Sequence, residues 1–371
     1  MIVDYLIDLF PLSATWPGLT FIIVVILCAV PVFVFIALYA LVAIYGELKI
    51  SSFIQDKVGP MGQGVGLHAW RWGLLQPVAD ALKLILKEDI IPTSADKKLF
   101  ILAPFIVFIG AFIAFSALPF SQTIIIADMN IGIFYILAVS SLGVIGIILA
   151  GWSSNNKWSL YGAMRSAAQI VSYEIPAALS IVAVIMLTST MSMQGIIQYQ
   201  SGVVWGFLPN WLLFNNPFTF LAFIIFFISG VAECNRTPFD IPEAESELVA
   251  GAFTEYSGMR YAFFFLSEYA NMLIISIIAS LVFLGGWLSP FKIFNLPYID
   301  IIPNSWFLLD GPIIGLFWMF LKVALLIFVM MWFRWTFPRL RVDQLMYLCW
   351  KVFIPFALAN VLFVSIWELI F

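Results

Sequence analysis

Eight long runs of apolar side chains recur along this chain, and they limit its folds more than any other feature. They fall at about 18–45, 97–119, 131–151, 162–190, 217–233, 260–286, 312–334 and 346–369. A helix crosses the hydrocarbon of a bilayer in ~20 mostly apolar residues, so each run is a candidate span. Composition agrees: 63% of the residues are apolar and only 10% are charged, which excludes an ordinary soluble domain. The expected fold is an all-α polytopic membrane protein, one integral domain over 1–371. It has about eight transmembrane helices, an amphipathic interfacial helix and long cytoplasmic loops. No internal repeat suggests the paired halves of a transporter.

The cations orient the bundle. Lys49, Lys57, Arg71, Lys83, Lys87, Lys97 and Lys98 fall in the first connection. Lys157 and Arg165 flank the third, Arg236 and Arg260 the fifth, and Arg334, Arg339, Arg341 and Lys351 the seventh. The other side receives only Lys292, while Lys322 lies inside the seventh run. By the positive-inside rule the odd-numbered connections face the cytoplasm and both termini face out. Two apolar, aromatic loops on that outer side, 191–216 and 287–311, are expected on the membrane surface or against a neighbour.

The stretch 232–258, AECNRTPFDIPEAESELVAGAFTEYSG, carries Glu233, Asp240, Glu243, Glu245, Glu247 and Glu255, with Arg236 as its only cation. Asp240, Pro242 and Glu243 make a good helix start, with a capping Asp, an early Pro and a carboxylate three residues on. That accounts for Asp240 and Glu243 as a capped, solvated loop. It leaves Glu245, Glu247 and Glu255 unexplained. Carboxylates crowded in low dielectric repel and share protons, which suits proton handling, with Arg236 as counter-charge.

Other acids stand where they are costly. Glu47 closes the first apolar run after Tyr45-Gly46. Residues 74–88 read as an amphipathic helix, with Leu75, Val78, Leu82 and Ile85 on one face and Asp80, Lys83 and Lys87 on another. The lysines suit an interfacial helix whose charged tips snorkel to water. Asp80, between Ala79 and Ala81, can approach another segment or pair with Lys83. Glu174 precedes Ile175-Pro176, where a Pro frees carbonyls from the helix ladder. It is read either as a functional acid or as an ion pair with Arg165, which shares a face with Gln169. Glu268 in FFFLSEYANM is read as a functional acid or as a packing contact with Tyr269 or Asn271. Together these acids suggest a water-filled path into the bundle from its cytoplasmic end. The basic stretch 334–344 fits topology and headgroup binding, or docking to an acidic partner. Three separated cysteines and one histidine offer no metal-ligand spacing and no haem or iron–sulfur pattern, so any redox centre is expected in a partner.

Six ordered motifs closely resemble one family: GLLQPVADALKLILKE, GWSSNNKWSLYGAMRSAAQIVSYE, AECNRTPFDIPEAESELVAG, EYSG, FLSEYAN and RVDQLM. It is the quinone-site membrane subunit of respiratory complex I, NADH:quinone oxidoreductase, and the resemblance runs from about Glu47 to Lys351. The equivalent membrane anchor of energy-converting hydrogenases is a weaker relative, and a stand-alone ion transporter is a third reading. The resemblance implies quinone, ubiquinone or menaquinone, as substrate, and no metal, flavin or haem on this chain. It implies a tunnel mouth among the first span, the amphipathic helix and the sixth span. Family acids of the proton-coupling path match Glu47, Asp80, Glu174, Glu233, Glu243, Glu245, Glu247, Glu255 and Glu268. Lys49, Lys57, Arg236, Asp240 and Phe253 match the quinone chamber, and Arg165, Arg334, Arg339 and Arg341 the family's cytoplasmic cations.

Implied partners are the hydrophilic quinone-site and terminal iron–sulfur-cluster subunits, small membrane subunits, antiporter-like subunits and lipid, with no nucleic acid. The implied location is the bacterial cytoplasmic (inner) membrane rather than the mitochondrial one. Two departures fall at the tunnel entrance. Glu47-Leu48-Lys49 stands where the family reads Glu-Arg-Lys, and Gln55-Asp56-Lys57-Val58-Gly59-Pro60-Met61 where it reads Gln-x-Arg-x-Gly-Pro-Asn. Lys keeps charge without the bidentate fork of Arg.

Overall fold

A computed structural model describes residues 17–62, 70–204, 208–241, 250–290 and 312–370. The chain is an all-α polytopic membrane protein. Among the described residues, seven helical segments are long and apolar enough to cross a membrane, and an eighth apolar helix, Pro217–Glu233, is slightly shorter. The helices are α1 (Pro17–Ile54), α2 (Gln76–Leu86), α3 (Lys97–Ala114), α4 (Gly132–Ser140), α5 (Leu142–Ser153) and α6 (Lys157–Thr188). Then come α7 (Met193–Tyr199), α8 (Leu212–Asn215), α9 (Pro217–Glu233), α10 (Gly258–Phe283), α11 (Pro312–Thr336), α12 (Val342–Leu348) and α13 (Ile354–Ile370). α4 and α5 form one near-continuous segment, and a π-turn over Cys349–Phe353 joins α12 to α13.

Local chemistry sets many of the ends. Asp96 caps α3, accepting from the amides of Lys98 and Leu99. Asn156 and Asn216 cap α6 and α9 in the same way, each through the amide two residues on. Pro217 follows its cap at the first helical position, where its missing N–H is not needed. Ser189 ends α6 in the left-handed conformation.

α10 is the most buried of the long helices and α1 the least. Ile22, Ile26, Leu38 and Val42 of α1 turn outward, as suits a helix facing lipid. α6 comes close to the turn Gly251–Phe253 because Gly162 has no side chain. A Cβ there would stand 2.7 Å from the Ala252 nitrogen.

Three local expectations change. The first helix does not stop at Tyr45-Gly46 but runs on to Ile54, so Glu47 is within a helix rather than at its end. A helical Gly costs only ~1 kcal/mol, which packing offsets. The amphipathic helix is shorter than 74–88, because a 3-10 turn at Arg71–Gly73 precedes α2. Finally, α7 and the turn after it, which the sequence left to the membrane surface or a neighbour, also pack on this chain itself. Gln200 donates to the carbonyls of Leu281 at 2.9 Å and Val282 at 3.1 Å, tying the segment to the end of α10. A two-residue antiparallel bridge within it pairs Val203 with Pro209.

Candidate functional site

The long extension of α1 matters because it carries Glu47 into the bundle. Glu47 is 6% exposed, and three side chains from three other parts of the chain converge on its carboxylate. Arg236, in the loop after α9, places Nη1 3.2 Å from Oε2 and 3.3 Å from Oε1. The Tyr269 hydroxyl of α10 donates to Oε2 at 2.7 Å. Arg334, at the end of α11, donates to Oε1. The Arg236 guanidinium also stands 4.4 Å from the centre of the Tyr269 ring, within cation–π range.

Arg236 is itself buried, at 5% exposure. Burial works against its charge, but Glu47 beside it holds the guanidinium protonated, above the usual arginine range. One carboxylate against two arginines leaves net positive charge in low dielectric. Glu268, on the turn of α10 next to Tyr269, adds a second negative charge that Arg236 feels. Nε and Nη2 of Arg236 make no hydrogen bond among the described residues.

Beside this cluster is a cavity of about 480 Å³ between α1, α2 and α10. Ala37, Leu41, Ile44, Leu84, Ile85, Phe265 and Leu266 make most of its wall apolar, and Asp80 and Tyr269 bring polar groups into it. Tyr269 therefore belongs to both features: its side chain lines the cavity while its hydroxyl holds Glu47. Asp80 makes no ion pair among the described residues, and Lys83 is exposed.

The other residues singled out from sequence divide into groups. Asp240 pairs with Arg339 at 3.7 Å, tying the loop after α9 to the segment after α11. Glu174 has one carboxylate oxygen buried without a hydrogen bond among the described residues, and its charge is near enough to act on Glu233. Glu255 accepts from Asn156 at 2.6 Å, which joins it to the cap of α6. Arg165 stacks over Tyr161 at 5.4 Å. Arg341 precedes α12, where its backbone amide donates to Gln344. Glu243, Glu245 and Glu247 lie outside the described residues.

Three chamber candidates stand apart from the Glu47 cluster. Lys49 donates to the Pro60 carbonyl and Lys57 to the Gln55 side chain, and both line a different cleft, of about 630 Å³, with Phe328 and Trp332 of α11. Both lysines therefore brace the 55–61 turn. Phe253 is buried against Phe264, ring centres 4.5 Å apart, and does not line the Asp80 cavity.

Arg236 has a partner that the sequence did not suggest. The sequence made it the counter-charge of Glu243, Glu245 and Glu247, which lie outside the described residues; among the described residues its partner is Glu47, 189 positions away. Sequence reasoning gave Arg334 to topology, headgroups or an acidic partner surface, and Tyr269 only to a packing contact with Glu268. It also missed the Arg260–Asp89 ion pair at 3.0 Å, which fixes the start of α10 to the segment after α2. The signal for Tyr269 was its place in an apolar run, where a buried phenol needs an acceptor.

By its fold and its charged centre this is a polytopic membrane protein that packs Glu47, Arg236, Tyr269 and Arg334 together beside a mostly apolar cavity. More particularly, the chain belongs to the NADH dehydrogenase family, whose family model matches residues 26–365. It is 56% identical over 344 residues to a Chlorobaculum tepidum protein named as a subunit of NADH-quinone oxidoreductase, covering 92% of each chain. A Chlorobaculum parvum protein of the same name is 55% identical, again over 92% of each chain. One from Anaeromyxobacter dehalogenans is 45% identical over 337 residues, covering 88% of this chain and 78% of the relative.

Proposed function

We propose that this chain, a membrane subunit of NADH:quinone oxidoreductase, forms one wall of the quinone chamber and begins a carboxylate path that couples quinone reduction to proton movement. The observation that carries this reading is the double role of Tyr269, which lines the apolar cavity and holds Glu47. Two-electron reduction of a quinone to a quinol takes up two protons. The electrons come from the terminal iron–sulfur cluster of a hydrophilic partner, and the protons must reach the quinone oxygens through protein or water. Negative charge developing in the cavity competes with Glu47 for Arg236 and Tyr269. Any loosening of that carboxylate is felt by Glu268 and by the loop that carries Arg236 and Asp240.

The path then uses Asp80 at the cavity, Glu174 and Glu233 deeper in the bundle, and Glu243, Glu245, Glu247 and Glu255 along the loop and its continuation. Carboxylates that act on one another exchange protons as a group rather than singly. Lys49 and Lys57 brace the entrance turn. The cation-rich end faces the bacterial cytoplasm and the hydrophilic partners, with both termini on the other side. Small membrane subunits and antiporter-like subunits continue the path beyond this chain.

A photoreactive quinone analogue tests the chamber in native membranes. Label is expected on α2 and α10 near Leu84 and Leu266, displaced by excess quinone. Competable label only at the Phe328–Trp332 cleft, or none on this chain, would remove the cavity from the quinone route.

A further inference from the structure

The loop after α9 turns on local backbone hydrogen bonds, such as Asn235 to Ala232 and Ile241 to Phe239, and it must hold Arg236 against Glu47. On one side it is tied to the segment after α11, through Asp240 with Arg339 and the Leu340 amide to the Pro238 carbonyl, and on the other a tether comes from Gln169 of α6. That side chain is fully buried, and its carboxamide nitrogen reaches two backbone carbonyls on either side of Arg236: Ala232 at 2.7 Å and Phe239 at 2.7 Å. The Asn235 side-chain oxygen lies 3.4 Å from the same nitrogen. Three oxygens around one end of the carboxamide identify that end as the NH2 group, which has two hydrogens to give.

Inside the tethered segment, Asn235 takes the left-handed conformation and the Phe239 amide donates to the Arg236 carbonyl at 2.8 Å. The segment is therefore a tight loop, turned by its own backbone bonds and clasped across its two ends by one side chain from another helix. We propose that Gln169 is a positioning residue for quinone reduction: it clamps residues 232–239 so that Arg236 meets Glu47. This rests on the chamber reading above and assigns to α6 a part in it.

The chemistry makes the clamp sensitive to one atom. Methionine in place of Gln169 fills similar space but gives no hydrogen, leaving two buried carbonyls without this partner. Glutamate keeps the shape and becomes a pH-dependent donor. Protonated, it can give one hydrogen bond; ionised, it sets a carboxylate against three oxygens. The titratable and charged groups around this point are Arg165, Tyr173 and Glu174 on α6, Glu233, Cys234 and Arg236 in the clamped segment, and Asp240 beyond it with its partner Arg339.

The experiment compares Gln169→Met, Gln169→Glu and Arg236→Lys in native membranes. Quinone reductase kinetics are measured against pH. Complex content is matched by NADH oxidation with a water-soluble acceptor that bypasses quinone. Gln169→Met is expected to lower kcat/KM for quinone about tenfold, as for two hydrogen bonds lost at carbonyls that each keep one backbone donor. Gln169→Glu is expected to fall with rising pH and recover toward acid, a limb that the unsubstituted protein lacks. A merely space-filling Gln169 would not produce that limb.

If Gln169→Met does not assemble, Gln169→Glu decides alone. A profile parallel to the unsubstituted protein overturns the clamp, and so does failure of Gln169→Glu to assemble at any pH, because the residue then serves folding. If Arg236→Lys slows turnover while both Gln169 variants are unaffected, only the clamp falls. If Arg236→Lys also matches the unsubstituted protein, the chamber reading falls with it.

Discussion

Glu47→Gln is the sharpest test of the site, because it removes one charge and almost no volume. Glu47 and Arg236 are 6% and 5% exposed, so neither is rescued by solvent in place. Breaking a buried pair by removing one partner destabilises by ~3–5 kcal/mol. Two features reduce that figure here. The Arg334 side chain is 29% exposed and can turn to water, and the glutamine oxygen can still accept from Tyr269 or one guanidinium. About 2–3 kcal/mol then remains, felt mainly by Arg236, whose position the proposed reaction needs. At ~1.36 kcal/mol per factor of ten, turnover should fall by about 30- to 160-fold. Assembled content should fall as well.

The double change Glu47→Gln/Arg236→Met separates the two effects. It leaves no uncompensated charge at that pair, so assembly should recover relative to the single variant. Turnover should not recover, because neither charge remains. The assay is quinone reductase rate per complex in membranes, with content measured by immunoblot. Full turnover in Glu47→Gln at matched content would refute the reasoning. So would a double variant that regains activity along with assembly.

Asp80→Asn should lower quinone reductase turnover severalfold without loss of assembly, because the change keeps shape and Asp80 has no described ion pair to break. Loss of the complex in blue-native gels would instead make Asp80 structural. Lys322→Met should act in the opposite sense. This buried lysine donates to the carbonyls of Leu284, Gly286 and Leu288 at 2.7 to 2.8 Å and stands over Trp211. Losing charged hydrogen bonds of ~1.5–3 kcal/mol each should reduce the amount assembled, while the quinone KM of what remains stays unchanged. A reporter fused after Phe371 should read outside the cytoplasm, as the cation distribution requires. A cytoplasmic reading would mean an odd number of spans.

The elements legible in the sequence are those decided by near neighbours. Runs of apolar residues long enough for a bilayer mark the helices, since lipid offers the backbone no other partners. Asn156 and the small polar turn before it mark the start of α6. The period of Leu75, Val78, Leu82 and Ile85 marks α2. Glu47 and Arg236 also stood out singly, as charges in places where burial is costly. Their partners were not legible. Arg236 next to a row of acids suggests a local pair, and nothing in a one-dimensional pattern points it to a residue 189 positions earlier. That choice depends on how α1, α10 and α11 pack, and on α1 continuing past Gly46. Gln169 is the same case in reverse. In sequence it is one polar residue on a helix face. Only when α6 packs against α9 does its carboxamide meet the carbonyls of Ala232 and Phe239, which it binds in addition to their own backbone donors. Composition and spacing thus determined a helical membrane bundle with acids within and between its spans. Tertiary packing decided which charges meet, because in low dielectric a buried charge is held by whichever opposite charge the fold brings within a few ångströms.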